Sequence, residues 1–192
     1  MRVLIACETS GVVRREFQAK GHDVYSCDIL PAEDGETARH FREDVLDVME
    51  RGDWDLIVMH PPCTALATSG NRWYAKGKPK HSERLAAIEW TMALWTRATS
   101  ICPRVAMENP VGVLPMAPTQ YIHPWEHGHG EVKRTGLWLH GLPALTPSDV
   151  VEGRDPRVWR MGPSPDRWRD RSRTYAGIAH AMASQWAGRV GG

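Results

Sequence analysis

Net charge is nearly absent from this chain: 24 lysines and arginines stand against 23 acids, a formal balance of +1. With no general basic field, any contact with nucleic acid must come from local patches. Paired cysteines are lacking as well. The four present, Cys7, Cys27, Cys63 and Cys102, are widely spaced, which argues against a disulfide framework or a structural zinc site and for a reducing compartment. No apolar run is long enough to span a bilayer, and the opening Arg2-Val-Leu-Ile-Ala6 is too short for the apolar core of a signal peptide. The expected location is therefore the cytoplasm, with no membrane partner. Internal repeats are missing too, and 192 residues at 42% hydrophobic content suit one domain with a sizeable core.

What is there is organised around Asp55-Leu-Ile-Val-Met-His-Pro-Pro-Cys-Thr64. A short apolar, partly β-branched run reads as a buried strand, and Pro61 and Pro62 cannot continue a ladder, so Cys63 is expected just past the strand end. In an open α/β sheet that edge is where ligands bind. A free cysteine is more often a small buried hydrophobe than a nucleophile, so the rest of the chain has to decide. Residues 103–110, Pro-Arg-Val-Ala-Met-Glu-Asn-Pro, repeat the pattern: a strand that ends in Glu108 and Asn109 and is stopped by Pro110. Two such strands side by side would bring a thiol and a carboxylate to one ligand.

The chain begins with a strand over residues 2–7, a turn Glu8-Thr9-Ser10-Gly11 and a helix to about residue 20, capped by Thr9 or Ser10 and ended by Gly21. The N–H groups of such a helix start favour a polar or anionic ligand group, although one glycine is a weak signal. A second strand ends in Asp28, about twenty residues after the turn, where an acid can accept from a ribose. A short third strand is expected to end at Asp44. Residues 64–81 form a polar loop with Trp73 and Tyr74 embedded and Lys76, Lys78 and Lys80 making it basic, which suits a mobile active-site loop. Residues 82–101 read as an amphipathic helix with Leu85, Ile88, Met92 and Trp95 as core, and residues 175–189 as a closing helix with Ile178, Met182 and Trp186 buried. His123, His127 and His129 cluster in a Gly- and Pro-containing loop without fixed ligand geometry, and no metal is expected there. Residues 135–140 are another strand. Between Arg154 and Arg173, further arginines at 157, 160, 167, 169 and 171 are interleaved with Trp159 and Trp168, a basic-aromatic patch able to touch phosphates and bases.

The order of these features (turn, Asp28, Pro-Pro-Cys63, Glu108-Asn109, Lys133-Arg134, Thr174-Tyr175 and a terminal helix) resembles the S-adenosylmethionine-dependent cytosine carbon-5 methyltransferases, in particular the small phage-type proteins described as DNA cytosine methyltransferases. The resemblance runs along essentially the whole chain, with Pro-Pro-Cys and Glu-Asn its specific parts. It implies an α/β fold, a Rossmann-like mixed and mostly parallel sheet with helices on both faces, class I methyltransferase-like, as a single domain over residues 1–192. It implies Cys63 as nucleophile, Glu108 on the cytosine ring, and Lys133 or Arg134 at the ring's O2. Cys7, Glu8, Thr9, Ser10, Gly11, Asp28, Ile29, Asp44, Val45 and Pro61 would hold S-adenosylmethionine, and Pro62, Asn109, Arg171 and Arg173 the substrate.

Departures bear on function. The first turn has a single glycine, Glu131-Val-Lys-Arg-Thr135 matches the family's Gln-x-Arg-x-Arg loosely, and Pro110 replaces a valine. Residues 142–173 are a short Pro/Arg-rich connection where the family inserts a target-recognition domain. The leading expectation is methylation of cytosine carbon-5 in DNA, with relaxed sequence specificity or a recognition partner protein, in a host cytoplasm if the chain is phage-encoded. The alternatives are a carbon-5 methyltransferase of free cytidine or deoxycytidine nucleotides, an amino-group methyltransferase, and a non-catalytic nucleic-acid or nucleotide-binding module.

Overall fold

The computed structural model describes residues 1–162, 164 and 167–187, apart from the side chains of Trp159, Arg167 and Trp168. The expected aromatic part of the 154–173 patch, and the end of the closing helix near Arg189, lie outside those limits.

The strands are apolar almost end to end because both of their faces are covered. In β1 (Arg2–Ala6) Val3 and Ile5 face one layer of helices while Leu4 and Ala6 face the other, and all four are fully buried. The same alternation splits β4 (Leu56–Met59) into Leu56 and Val58 against Ile57 and Met59. One layer holds α1 (Val12–Ala19) and α7 (Ala176–Trp186), which pack on each other through Val13, Phe17, Ile178 and Met182. The opposite layer holds α2 (Val45–Met49) and α4 (His81–Ile101).

The seven-stranded sheet runs β3-β2-β1-β4-β5-β7-β6. Here β2 is Asp23–Asp28, β3 His40–Arg42, β5 Val105–Pro110, β6 Gln120–Ile122 and β7 Thr135–His140. Strands β1 to β5 pair in parallel, whereas β7 runs antiparallel to β5 and β6 antiparallel to β7. The order reverses at β1, with β2 on one side and β4 on the other, so the strand ends on either side of β1 open a crevice. The sheet is mixed and mostly parallel with helices on both faces, as expected; β6, only three residues long, carries no sequence signal strong enough to have been read. Among the described residues no helix is long and apolar enough to cross a membrane.

Two local expectations are corrected. The buried line of α4 is Arg84, Thr91, Leu94 and Ala98, not Leu85, Ile88, Met92 and Trp95; Leu85 is 55% exposed and the other three are partly exposed. The helix is rotated because Arg84 turns inward: its guanidinium donates to the carbonyls of Ala65 (2.7 Å) and Ala67 (3.2 Å) and to Asn71 Oδ1 (2.8 Å). Those carbonyls belong to the 64–81 segment, which is folded rather than irregular, with a 3-10 turn Thr68–Gly70, a short α3 (Asn71–Tyr74), and Leu66 and Tyr74 buried.

The three loop histidines have structural partners. Nδ1 of His127 pairs with Ser148 Oγ at 2.9 Å, the His123 ring stacks on Trp125 with centroids 5.7 Å apart while its backbone N–H donates to the Glu126 carboxylate, and His129 Nε2 accepts from Gly177 N at 3.0 Å, capping the start of α7. Among the described residues no group of three metal-ligating side chains stands together. The approach of this loop to α7 is so close that a Cβ on Gly177 would fall 1.7 Å from the His127 carbonyl oxygen. Gly177→Ala is therefore expected to destabilise the fold by about 1–3 kcal/mol through backbone displacement. A urea midpoint equal to that of the parent chain would contradict this packing.

Candidate active site

Chain direction and strand ends build the site. Parallel strands β1, β2, β4 and β5 all deliver their C-terminal residues to one edge, where a cavity of about 330 Å³ opens. Cys7 to Ser10 reach it from β1, Asp28 and Ile29 from β2, Asp44 and Val45 from the start of α2, Pro61 to Cys63 from β4, and Glu108 and Asn109 from β5. Lys133 enters just before β7, and Arg171 and Arg173 come from the segment around α6 (Arg167–Ser172).

Two expected residues do not line the cavity. Gly11 supports the turn from behind: its φ of 66° is left-handed, and a Cβ there would lie 2.3 Å from Asp34 Oδ2. Arg134 lies over the ring of Tyr121, its guanidinium carbon 3.8 Å from the centroid. Lys133 is instead the basic residue of that segment that lines the cavity. Residues not foreseen also line the cavity, among them His60, Trp90 and Thr174. The acid–histidine contact across β4 and β5 left no trace in local sequence pattern, because its partners are 48 residues apart.

The turn after β1 is closed from within. Cys7 adopts φ 59°, an uncommon conformation for a residue with a Cβ and one that recurs at functional sites. Glu8, only 6% exposed, turns its carboxylate onto the start of α1: Oε1 accepts from Val13 N at 2.8 Å and from Ser10 Oγ at 2.9 Å. Ser10 Oγ in turn accepts from Val12 N at 3.2 Å. The helix start already holds a carboxylate, so an anionic ligand group there meets like charge. The remaining oxygen, Glu8 Oε2, is buried without a hydrogen-bond partner among the described residues, and such an oxygen favours a cationic or N–H-bearing ligand group. Asp28 Oδ1 accepts from Leu30 N, and Asp44 caps α2 through Leu46 N.

On the other side of the cavity, Asn109 Nδ2 donates to the Pro61 carbonyl at 2.9 Å and ties the Pro-Pro-Cys turn to β5. His60 Nδ1 lies 3.2 Å from Glu108 Oε2. Burial pushes the Glu108 carboxyl up, but the His60 hydrogen bond, the Lys133 charge and the Thr135 hydroxyl outweigh it and hold the group below its ordinary value. Cys63 moves the other way. Burial and the Glu108 charge raise its thiol, and Lys133 and Arg171 only partly offset them. These surroundings favour the thiol of Cys63 over the thiolate that a nucleophile needs. Cys63 is expected to react with iodoacetamide at neutral pH more slowly than an ordinary exposed thiol, and more slowly still in Lys133→Met. Faster labelling of the Lys133→Met variant, read by peptide mass spectrometry, would contradict this charge balance.

The arginines of the 154–173 segment are partly engaged within the chain. Arg173 and Arg169 pair with Glu33, the latter at 3.7 Å, and Arg157 pairs with Glu131 at 2.7 Å. Glu33 also accepts from Thr9 Oγ1 at 2.8 Å, so α6 is latched to the first turn.

No family model matches the chain, and no curated protein matches it. Solved structures do. A prophage-encoded E. coli protein assigned as a DNA modification methyltransferase superposes with a TM-score of 0.54 at 11% identity, over 85% of this chain and 55% of that one. The Dnmt2 methyltransferase of S. pombe superposes with a TM-score of 0.50 at 12% identity, over 83% of this chain and 54% of that one. The chain thus spans about half the length of these neighbours. At such identities the likeness is one of fold: the chain has the α/β, Rossmann-like architecture of class I methyltransferases.

Proposed function

We propose that the protein transfers a methyl group from S-adenosylmethionine to carbon-5 of cytosine, in DNA. The observation that carries this reading is the pairing of Cys63 and Glu108 at the ends of adjacent parallel strands, in one cavity with Asp28 and Asp44.

The donor half fits the methyl donor by its chemistry. A phosphate-bearing cofactor would meet the Glu8 carboxylate at the helix start, whereas a sulfonium or an ammonium group complements the free Glu8 Oε2. Asp28 would accept from a ribose, and Asp44 with Val45 would meet the adenine. When bound, S-adenosylmethionine supplies an electrophilic methyl group.

The base half answers a specific difficulty, since carbon-5 of cytosine is a poor nucleophile. Addition of the Cys63 thiolate to carbon-6 would form the S–C6 bond and leave an enamine whose electron-rich carbon-5 can take the methyl group; loss of the carbon-5 proton to a base and departure of the Cys63 thiolate from carbon-6 would then restore the ring. The proton given up by the Cys63 thiol would come to be shared between Glu108 and N3, offsetting the charge that develops in the ring, and Lys133 would hold O2. The raised Cys63 thiol suits this order of events. Once Glu108 shares a proton with the base, its charge no longer opposes thiolate formation, so the nucleophile is activated by the entry of its own substrate.

A cytosine inside a duplex must be flipped out to reach this cavity. Only the 35 residues 141–175 separate β7 from the closing α7, which supports short or relaxed target recognition and keeps the free nucleotide as a second reading. Labelled S-adenosylmethionine offered with duplex DNA, single-stranded DNA or dCMP tests both. Label as 5-methylcytosine in DNA is expected. Label in dCMP alone would sink the DNA reading, a methyl on the exocyclic amine would sink the covalent mechanism, and no label in any substrate would favour a binding module.

A further inference from the structure

We propose that His60 is a positioning residue for the proposed reaction: its Nδ1–H holds the Glu108 carboxylate in the orientation that presents that acid to the substrate ring. The inference rests on the assignment of Glu108 to the base.

The ring stands on a rigid element. His60 is the first residue beyond β4, and its backbone N–H donates to the Ala6 carbonyl at 2.9 Å, so the sheet sets where the side chain begins. Its Nδ1 lies 3.2 Å from Glu108 Oε2, with the two side chains 9% and 11% exposed. An ionised carboxylate oxygen only accepts hydrogen bonds, so Nδ1 carries the hydrogen. The Thr174 hydroxyl, 3.5 Å from the same nitrogen, is the weaker partner.

The other ring nitrogen points to a functional origin for the residue. Nε2 is buried with no hydrogen-bond partner among the described residues. A residue kept only to fill space would avoid that cost, since leucine or methionine occupies similar volume with no polar atom to satisfy. Donation to Glu108 is what the imidazole adds. The charged and titratable groups around the pair come from every side of the cavity: Cys63 beyond β4, Lys133 before β7, and Arg171 of α6, which acts on Cys63. None of these is a hydrogen-bond donor to Glu108 at a distance comparable with His60 among the described contacts, and Thr135 on β7 supplements the bond from the far strand.

Three substitutions separate positioning from packing. Asparagine places its amide nitrogen close to the location of Nδ1, glutamine reaches instead toward Nε2, and alanine does neither. For His60→Ala, kcat is expected to fall about 100-fold while affinity for S-adenosylhomocysteine, measured by calorimetry, stays within about 2-fold. His60→Asn is expected to recover kcat to within about 5-fold of the parent chain, and His60→Gln to stay with alanine. If His60→Ala does not fold, the asparagine and glutamine variants carry the comparison alone. Parent-like kcat in His60→Ala, equal kcat in the asparagine and glutamine variants, or donor affinity falling in step with kcat would overturn the proposal. A parent chain that methylates no pyrimidine would overturn the assignment of Glu108 beneath it; an active parent with an indifferent His60 would overturn this step alone.

Discussion

Cys63→Ala is expected to abolish methyl transfer, a loss on the order of 10⁴-fold or more, because the addition to carbon-6 is assigned to this thiol and every later step depends on that bond. The same substitution is expected to leave the fold intact. It is the Cys63 carbonyl, not its sulfur, that holds the turn, accepting from Leu66 N at 3.0 Å and Ala67 N at 2.8 Å. The check is a pair of measurements on one preparation: transfer of label, and trapping of an oligonucleotide or nucleotide with fluorine at carbon-5. The parent chain should form an adduct stable to denaturation that maps to Cys63, and the alanine variant should form none while its thermal midpoint barely moves. Transfer retained in the variant would refute the nucleophile.

Glu108→Gln separates two effects that ordinarily go together. Glutamine keeps the shape and an acceptor for His60 but cannot take the proton shared with N3, so kcat is expected to fall on the order of 10²–10³-fold. Donor affinity should hold, since Glu108 is assigned to the base and not to the donor. The thiol should respond in the opposite sense to turnover. The Glu108 charge is one of the two causes that raise Cys63; removing it lowers the thiol, enlarges the thiolate fraction at neutral pH and speeds alkylation by iodoacetamide. A slower enzyme with a more reactive cysteine is the expected signature. Donor affinity that collapses in Glu108→Gln would move this residue to the other pocket.

Much of the site could be read in the sequence because it lies at strand ends. An apolar run stopped by proline locates Cys63, and the second such run locates Glu108; Asp28 and Asp44 also fall at the cavity where strand and helix boundaries put them. The closing helix was legible for the same reason, its Ile178, Met182 and Trp186 being apolar and buried together. What was not legible depends on contacts between distant segments. His60 gains its partner across 48 residues. Lys133 lines the cavity and Arg134 does not, its guanidinium lying over the Tyr121 ring instead. In α4, counting apolar residues misplaces the buried face because an arginine satisfied by three oxygens can lie inside where a leucine does not.

The place of β4 in the sheet also bears on how the molecule comes into being. β4 lies between β1, the first strand of the chain, and β5, made some fifty residues later. Both pairings are parallel, so neither can form as a local hairpin, and closing such loops precedes any reward from contact. Cys63 and Glu108 meet only when this late assembly is complete. A nascent or partly folded chain therefore carries the thiol without its carboxylate, and competence for the proposed chemistry arrives together with the closed sheet. Refolding should restore adduct formation with the same rate constant as the burial of Trp54, which precedes β4, is 4% exposed and packs in the same core layer as Ile57 and Met59, and not before it.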